Sequence, residues 1–230
     1  WGILGVVVVA VAAAGAVAWR QAAPVVEARK YASVTYTVPK APKLTARPGE
    51  TIYRIDPTRS SLTYAVQERF AGRATSTARG VTNGIAGDIA LNGDDLAKSR
   101  VGQIVVNVEQ FHSDNNLRDA RIRKDYLASH TFPLATFTPT AITGLEGPLQ
   151  PSVTQPFTIE GYVTIKGIKA PATFAATGKL ADGALRITAT TKAKLSRFEA
   201  GPISIAGLVS TSDDVTLTLK LVALDPTKSA

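Results

Sequence analysis

From residue 51 onward, apolar and polar residues alternate with a period of two. Leu62, Tyr64 and Val66 alternate with Thr63 and Ala65, and Ile104, Val106 and Val108 with Gln103, Val105 and Asn107. Phe157, Ile159, Val163 and Ile165 share one parity with Gly161. Leu185, Ile187 and Ala189 alternate with Arg186, Thr188 and Thr190, and Val215, Leu217, Leu219 and Leu221 with Thr216, Thr218 and Lys220. Such alternation marks antiparallel strands with one buried face. Asp182-Gly183 between two of these runs predicts a tight hairpin, and Asn92-Gly93 gives a weaker turn signal. No strand–helix alternation points to a parallel sheet, so the pattern predicts a closed barrel or a sandwich.

One stretch breaks the period. Asn115 to Leu127 reads as a short, basic, amphipathic helix, with Ile122 and Tyr126 four apart on one apolar face. Asn116 is the expected N-cap, with Asp119 in the position of a capping-box acid and Asp119 paired with Arg123 one turn on. Pro133 stops the helix.

The first 50 residues have a different character. Residues 1–19 carry no charge, and a helix of that length spans roughly 28 Å, close to a bilayer's hydrocarbon core. Trp1 and Trp19 fit the two interfacial belts. The expectation is a transmembrane anchor. The competing reading is a signal segment cleaved after Ala16-Val17-Ala18. Residues 20–50, punctuated by Pro24, Pro39, Pro42 and Pro48, read as a basic, extended linker. The expected organisation is anchor or signal (1–19), linker (20–50), β-domain (51–224) and a short tail (225–230).

Composition narrows the function. The chain has 230 residues, 45% of them hydrophobic but only 7% aromatic, so its core must rest mainly on Val, Ile, Leu and Ala. Without cysteine there is neither a disulfide scaffold nor a thiolate metal site. The net charge of +8 comes without an aromatic-studded basic strand or a recognition helix, which excludes a nucleic-acid reading. No phosphate-cradling glycine loop and no nucleophile elbow can be found. The expectation is a protein that is not an enzyme and carries no cofactor. The alternative is a metal-assisted hydrolase using Asp114 with the only two histidines, His112 and His130, and a His-x-Asp of that kind is common by chance.

Four segments carry a family resemblance. They are the Arg118-Asp119 helix followed by Phe132-Pro133-Leu134-Ala135-Thr136-Phe137, the opening run Tyr53-Arg54-Ile55-Asp56-Pro57-Thr58-Arg59-Ser60, the hairpin Gly161-Tyr162-Val163-Thr164-Ile165-Lys166-Gly167 with Pro171, and the closing run Asp214-Val215-Thr216-Leu217-Thr218-Leu219. In this order and spacing, over about residues 51–224, the chain resembles the YceI-like family of lipid-binding proteins. It departs where Arg121-Ile122 replaces the usual His-Leu and Tyr126-Leu127 an aromatic pair. The resemblance implies a lipocalin-like eight-stranded antiparallel barrel with one short helix, exported and held in the cell envelope. It further implies that the barrel binds an isoprenoid-type lipid or quinone.

The residues supply their own case for a cavity. An eight-stranded barrel is just wide enough to be filled or to hold one small ligand. The inferred inward parity includes Ala135 and Ala141 beside Phe137, Ala172 and Ala176 beside Phe174, and also Gly161 and Ala189. Small inward residues leave space, although a packed barrel would show the same parity. The expected apolar lining is Tyr64, Val66, Ile104, Val106, Phe111, Ala135, Phe137, Phe157, Gly161, Val163, Phe174, Leu185, Ile187 and Ala189. Asn115, Arg118, Asp119, Arg121 and Tyr126 are expected at its mouth, with Arg118 and Asp119 fixing the helix to the rim. The expected partners are an apolar lipid and, through residues 1–19, a membrane. A ligand-free module docking on another envelope protein stays open, as does the oligomeric state.

Overall fold

The computed structural model describes residues 37–228. The anchor expected over 1–19 and the first part of the linker lie outside the described residues. Among the described residues no helix is long and apolar enough to cross a membrane.

The strands are β1 (Glu50–Ile55), β2 (Ser61–Phe70), β3 (Ser76–Thr82), β4 (Ile85–Ala86), β5 (Asp88–Asn92), β6 (Arg100–Val101) and β7 (Ile104–Asn107). They continue as β8 (His112–Ser113), β9 (Leu134–Thr143), β10 (Gln155–Ile165), β11 (Ile168–Ala181), β12 (Ala184–Lys194), β13 (Ser204–Ile205) and β14 (Val209–Leu224). Helix α1 (Asn116–Arg121) lies between β8 and β9.

Several strands are pieces of longer ones. β1 and β2 share the partner β14 and are parted at Asp56-Pro57, where proline cannot donate to a ladder and Asp56 Oδ1 accepts from Thr58 N at 2.9 Å. β3, β4 and β5 form a second broken strand against β2 and β1, and β6, β7 and β8 a third against β5, β4 and β3. β7 pairs with β9, and antiparallel ladders then run β9–β10–β11–β12–β14 and back to β1 and β2. Grouped in this way there are eight composite strands, each bonded to the next and the last to the first. Among the described residues the architecture is all-β: one strongly curled antiparallel sheet with a single short α-helix.

Ser60, the serine that ends the Ile-Asp-Pro-x-x-Ser run, fastens the first strand to the last. Its buried Oγ accepts from Val222 N at 3.0 Å and donates to Val222 O at 3.3 Å. The hairpin at Asp182-Gly183 joins Ala181 to Ala184, with φ of +52° and +71° at the two turn residues. These are the left-handed conformations that an Asp-Gly pair accommodates.

Parity holds along most strands, but not through β9. The register shifts between Glu160 and Gly161, so that Glu160 pairs with Ala141 and Gly161 with Pro139. This bulge leaves Thr140 without a partner and reverses the faces beyond it. Ala141, expected inside, is exposed, and Ile142 packs on the core instead.

The helix differs from its expected form in three ways. Its N-cap is Asn115, not Asn116, and Asn115 Oδ1 accepts from the backbone N of Leu117 and Arg118. Asp119 does not close a capping box or pair with Arg123. It is buried and accepts from Ser113 N (2.9 Å) and Ser113 Oγ (2.6 Å) on β8. After Arg121 the coil widens to a π-helical turn, Ile122–Tyr126, closed by Leu127 N donating to Ile122 O at 2.8 Å.

The described part of the linker is tied to the sheet. Leu44 N donates to Asp88 Oδ2, and Arg47 N to Glu50 Oε2. Arg100 clamps the Glu50 carboxylate with two bonds of 2.8 and 2.6 Å. The bonds from Arg100, ahead of the opposing cost of burial, hold Glu50 down at a pKa of about 2, against an ordinary 4.5. A depressed carboxylate stabilises the fold above its unfolded pKa, and that stability is lost as pH falls through its folded value. Glu50→Gln should therefore lower stability at pH 7, by on the order of 1 kcal/mol once solvent screening is allowed for. Thermal melts of both proteins from pH 7 to pH 2 should show the difference shrink below about pH 4.5 and close near pH 2. A difference that persists unchanged at pH 2 would remove the ion pair as its cause.

Candidate functional site

Among the described residues, one apolar cavity lies toward each end of the curled sheet. The larger, about 140 Å³, lies toward the end where β2, β7, β10 and β12 finish and α1 sits. Of the expected lining, Tyr64, Val66, Ile104, Val106, Phe111, Ala135, Phe137, Val163 and Phe174 line it. Two pairs of rings stiffen its wall. Tyr64 meets Phe111 edge to face at 5.3 Å, and Phe137 meets Phe174 in the same way at 4.8 Å.

The rest of the expected lining lies elsewhere. Phe157, Leu185 and Ile187 line the second cavity, about 50 Å³, beneath the loops 93–99 and 144–154 at the other end. Gly161 and Ala189 line neither cavity. Ile55, Ile85, Ile159, Ala189 and Leu221 are buried in the same core cluster and line neither cavity. Parity assigns a face to a residue but not a depth along the axis, so a single continuous cavity does not form.

Gly161 has another task. A Cβ there would lie 2.4 Å from Thr138 O and 2.9 Å from Pro139 Cα, so the residue lets β9 close in at the bulge. The glycine that makes room beside the cavity is Gly80. Its missing Cβ would sit 2.3 Å from Tyr64 Cε1, so the Tyr64 ring lies flat across it.

Two lids that alternation could not show complete the lining. The first is the α1 region, with Ile122, Tyr126 and Leu127. Tyr126, expected at the mouth, is part of the lining. The second is the connection from β12 to β13, with Leu195, Phe198, Ala200 and Ile203. This connection has no period, and its signal in the sequence is a phenylalanine followed closely by Gly201-Pro202. Asp213 anchors it by accepting from Ser196 N (2.7 Å) and Ser196 Oγ (2.8 Å), and Lys166 Nζ donates to Glu199 O at 2.9 Å.

Every side chain in the larger cavity is uncharged; Thr136 and the phenols of Tyr64 and Tyr126 are its polar groups. Burial, reinforced by the Asp119 charge, raises the Tyr64 phenol well above its ordinary value, so it stays protonated. The charged mouth residues face away from this lining. Arg118 donates to Glu68 Oε1 at 2.8 Å and pairs with Asp114, and Arg121 is exposed. Arg123 donates to Phe111 O at 2.9 Å.

The hydrolase alternative gains no support. Asp114 is committed to Arg118, His130 is exposed, and among the described residues no three His, Asp or Glu side chains form a group that could hold a metal. The site can enclose an apolar group and offer it two or three hydroxyls.

Comparison with known proteins agrees with this geometry. The profile of the YceI-like domain matches residues 53–223. Among solved structures the chain is similar to BcnA of Burkholderia cenocepacia, with 20% identity and a TM-score of 0.58 over 74% of this chain and 99% of that one. It is similar also to a polyisoprenoid-binding domain from Saccharophagus degradans implicated in plant cell wall breakdown. There the identity is 12% and the TM-score 0.55, over 76% of this chain and 98% of that one. At these identities the likeness speaks to fold. No curated protein matches the chain.

Proposed function

The chain belongs to the YceI-like family, and from that premise we propose that it is a lipocalin-like eight-stranded barrel that binds an isoprenoid-type lipid or quinone in its larger cavity. The observation that carries this reading is the lining itself, uncharged throughout and lidded by Ile122, Tyr126, Leu127 and the 195–203 connection. The polyisoprenoid binding of the Saccharophagus degradans domain supports the choice of ligand class. A cavity of about 140 Å³ encloses about one ring or one branched five-carbon unit. The remainder of a longer chain would leave between the two lids. Each buried CH₂ contributes about 0.8 kcal/mol, so one such unit supplies roughly 4 kcal/mol, and the tyrosine hydroxyls orient a polar head. The uncharged run at 1–19 supports an anchor, and membership of the family supports a barrel held outside the cytoplasm.

Ala135 is buried in the wall of the cavity, and Ala135→Phe places a ring in that space. Native mass spectrometry and organic extraction of the purified chain should find a prenyl lipid or quinone in the wild type. In Ala135→Phe the yield should fall at least tenfold, with the β-type circular dichroism retained. Equal lipid in both folded proteins would place the ligand elsewhere. A wild type that yields only acids or sugars would end the reading.

A further inference from the structure

The end of the sheet that carries the larger cavity has an unusual surface. Leu117, in the first turn of α1, is 74% exposed, and Leu208, in the turn between β13 and β14, is 63% exposed. They are the two most exposed large apolar side chains among the described residues, and Phe132 and Leu134 stand at the same end. A single exposed leucine needs no explanation, but several around one opening do. Ala71 N donates to Leu208 O at 2.9 Å, so the β2–β3 turn, with Arg73, is held beside Leu208.

Charge is polarised in the same direction. Arg73, Arg121, Lys124 and Arg197 are exposed at the mouth, against exposed Asp125 and Glu199, and among the described residues none of these four cations is in an ion pair. The segments at the opposite end carry Asp94, Asp95, Glu146 and Asp182 against Lys98 and Arg47. Protruding leucines ringed by unpaired cations complement an anionic bilayer surface: the apolar tips enter the headgroup boundary while the cations meet lipid phosphates. Each lysine or arginine near such a surface strengthens binding roughly fivefold, and salt screens the effect.

We propose that the mouth docks on an anionic lipid surface through Leu117, Leu208 and the Arg73, Arg121, Lys124 and Arg197 cations, and that the cavity loads and unloads there. This rests on the lipid-binding reading above. Docking in this pose sets the gap between α1 and the 195–203 connection against the membrane, so an apolar chain passes between bilayer and cavity without crossing water. The far end, being acidic, is repelled.

The chain has no cysteine, so one introduced thiol takes an environment-sensitive dye at a single site. Full-length Leu208→Cys and Asp182→Cys proteins, labelled at the mouth and at the opposite end, are mixed with vesicles. One set is phosphatidylcholine alone and the other contains about 30% phosphatidylglycerol. The mouth label should shift to the blue with the anionic vesicles only, and the label at 182 should stay unchanged. Arg73→Glu with Lys124→Glu should weaken the shift at least tenfold, as should added salt. No shift at 208, an equal shift at 182, or an equal response to neutral vesicles would each overturn the proposal. Residues 1–19 are present in every sample, so a contribution from them cannot create the difference between the two ends. Native mass spectrometry on the same proteins separates the two readings. Lipid retained without docking sinks the docking alone, and docking by a protein that holds no lipid sinks the cavity reading.

Discussion

Gly161→Leu is expected to destabilise the wall of the sheet rather than fill the cavity. Gly161 sits at the bulge where β10 meets β9, and a Cβ there would lie 2.4 Å from Thr138 O and 2.9 Å from Pro139 Cα. Both are backbone atoms of the neighbouring strand, so no rotamer relieves the contact. Phe137 Cε2, also at 2.9 Å, would have to move with them, and its ring packs on Phe174. Overpacking of a built core costs about 1–3 kcal/mol, occasionally more, and here the bulge itself must open. Gly161→Ala should already cost about 2–3 kcal/mol in urea unfolding, and Gly161→Leu at least as much. Gly80→Ala is the instructive control. Its close neighbours are the outer ring atoms of Tyr64, which can swing into the cavity. That variant should lose less stability but hold less ligand. If Gly161→Leu melted like the wild type, the tight bulge would not exist in solution.

The contrast between these two glycines shows what the sequence could carry. Alternation gave the faces of β2, β10 and β12, because each of these strands buries mainly one side, whereas β7 is buried on both. Nine of the expected lining residues do meet in one cavity on that account. It could not give depth, so Phe157, Leu185 and Ile187 are at the wrong end, and it could not foresee the bulge that turns Ala141 outward. Alternation cannot show Leu195 to Ile203, because a non-periodic lid has no period to read. At the helix, two adjacent asparagines competed for the cap. The spacing of Asp119 suited a capping box, but Ser113 on β8 holds that carboxylate instead. A tertiary partner overrode a local motif in that case.

Removing Arg118 is expected to release the α1 lid and to cost the protein about 3 kcal/mol. Its guanidinium is only 16% exposed and lies between Glu68 of β2, itself 9% exposed, and Asp114 before the helix. A further nitrogen contact reaches Ser113 Oγ at 3.3 Å, and the same hydroxyl donates to the buried Asp119. Wall strand, β8 and helix therefore meet at one arginine. Arg118→Met keeps most of the stem's packing but leaves the Glu68 carboxylate buried without its cation. Breaking a buried pair from one side costs about 3–5 kcal/mol, much of it the stranded charge. The double variant Arg118→Met, Glu68→Met removes that charge as well and should recover more than half of the loss. Urea unfolding of the wild type, Arg118→Met, Glu68→Met and the double variant gives the coupling directly. Ligand retention should follow a different order, because Ile122, Tyr126 and Leu127 reach the cavity only while the helix is pinned. Both variants should therefore lose bound lipid faster than the wild type, although the double variant is nearly as stable. Recovery of stability together with full lipid retention would mean that Ser113 and Asp119 hold the lid without help from the arginine.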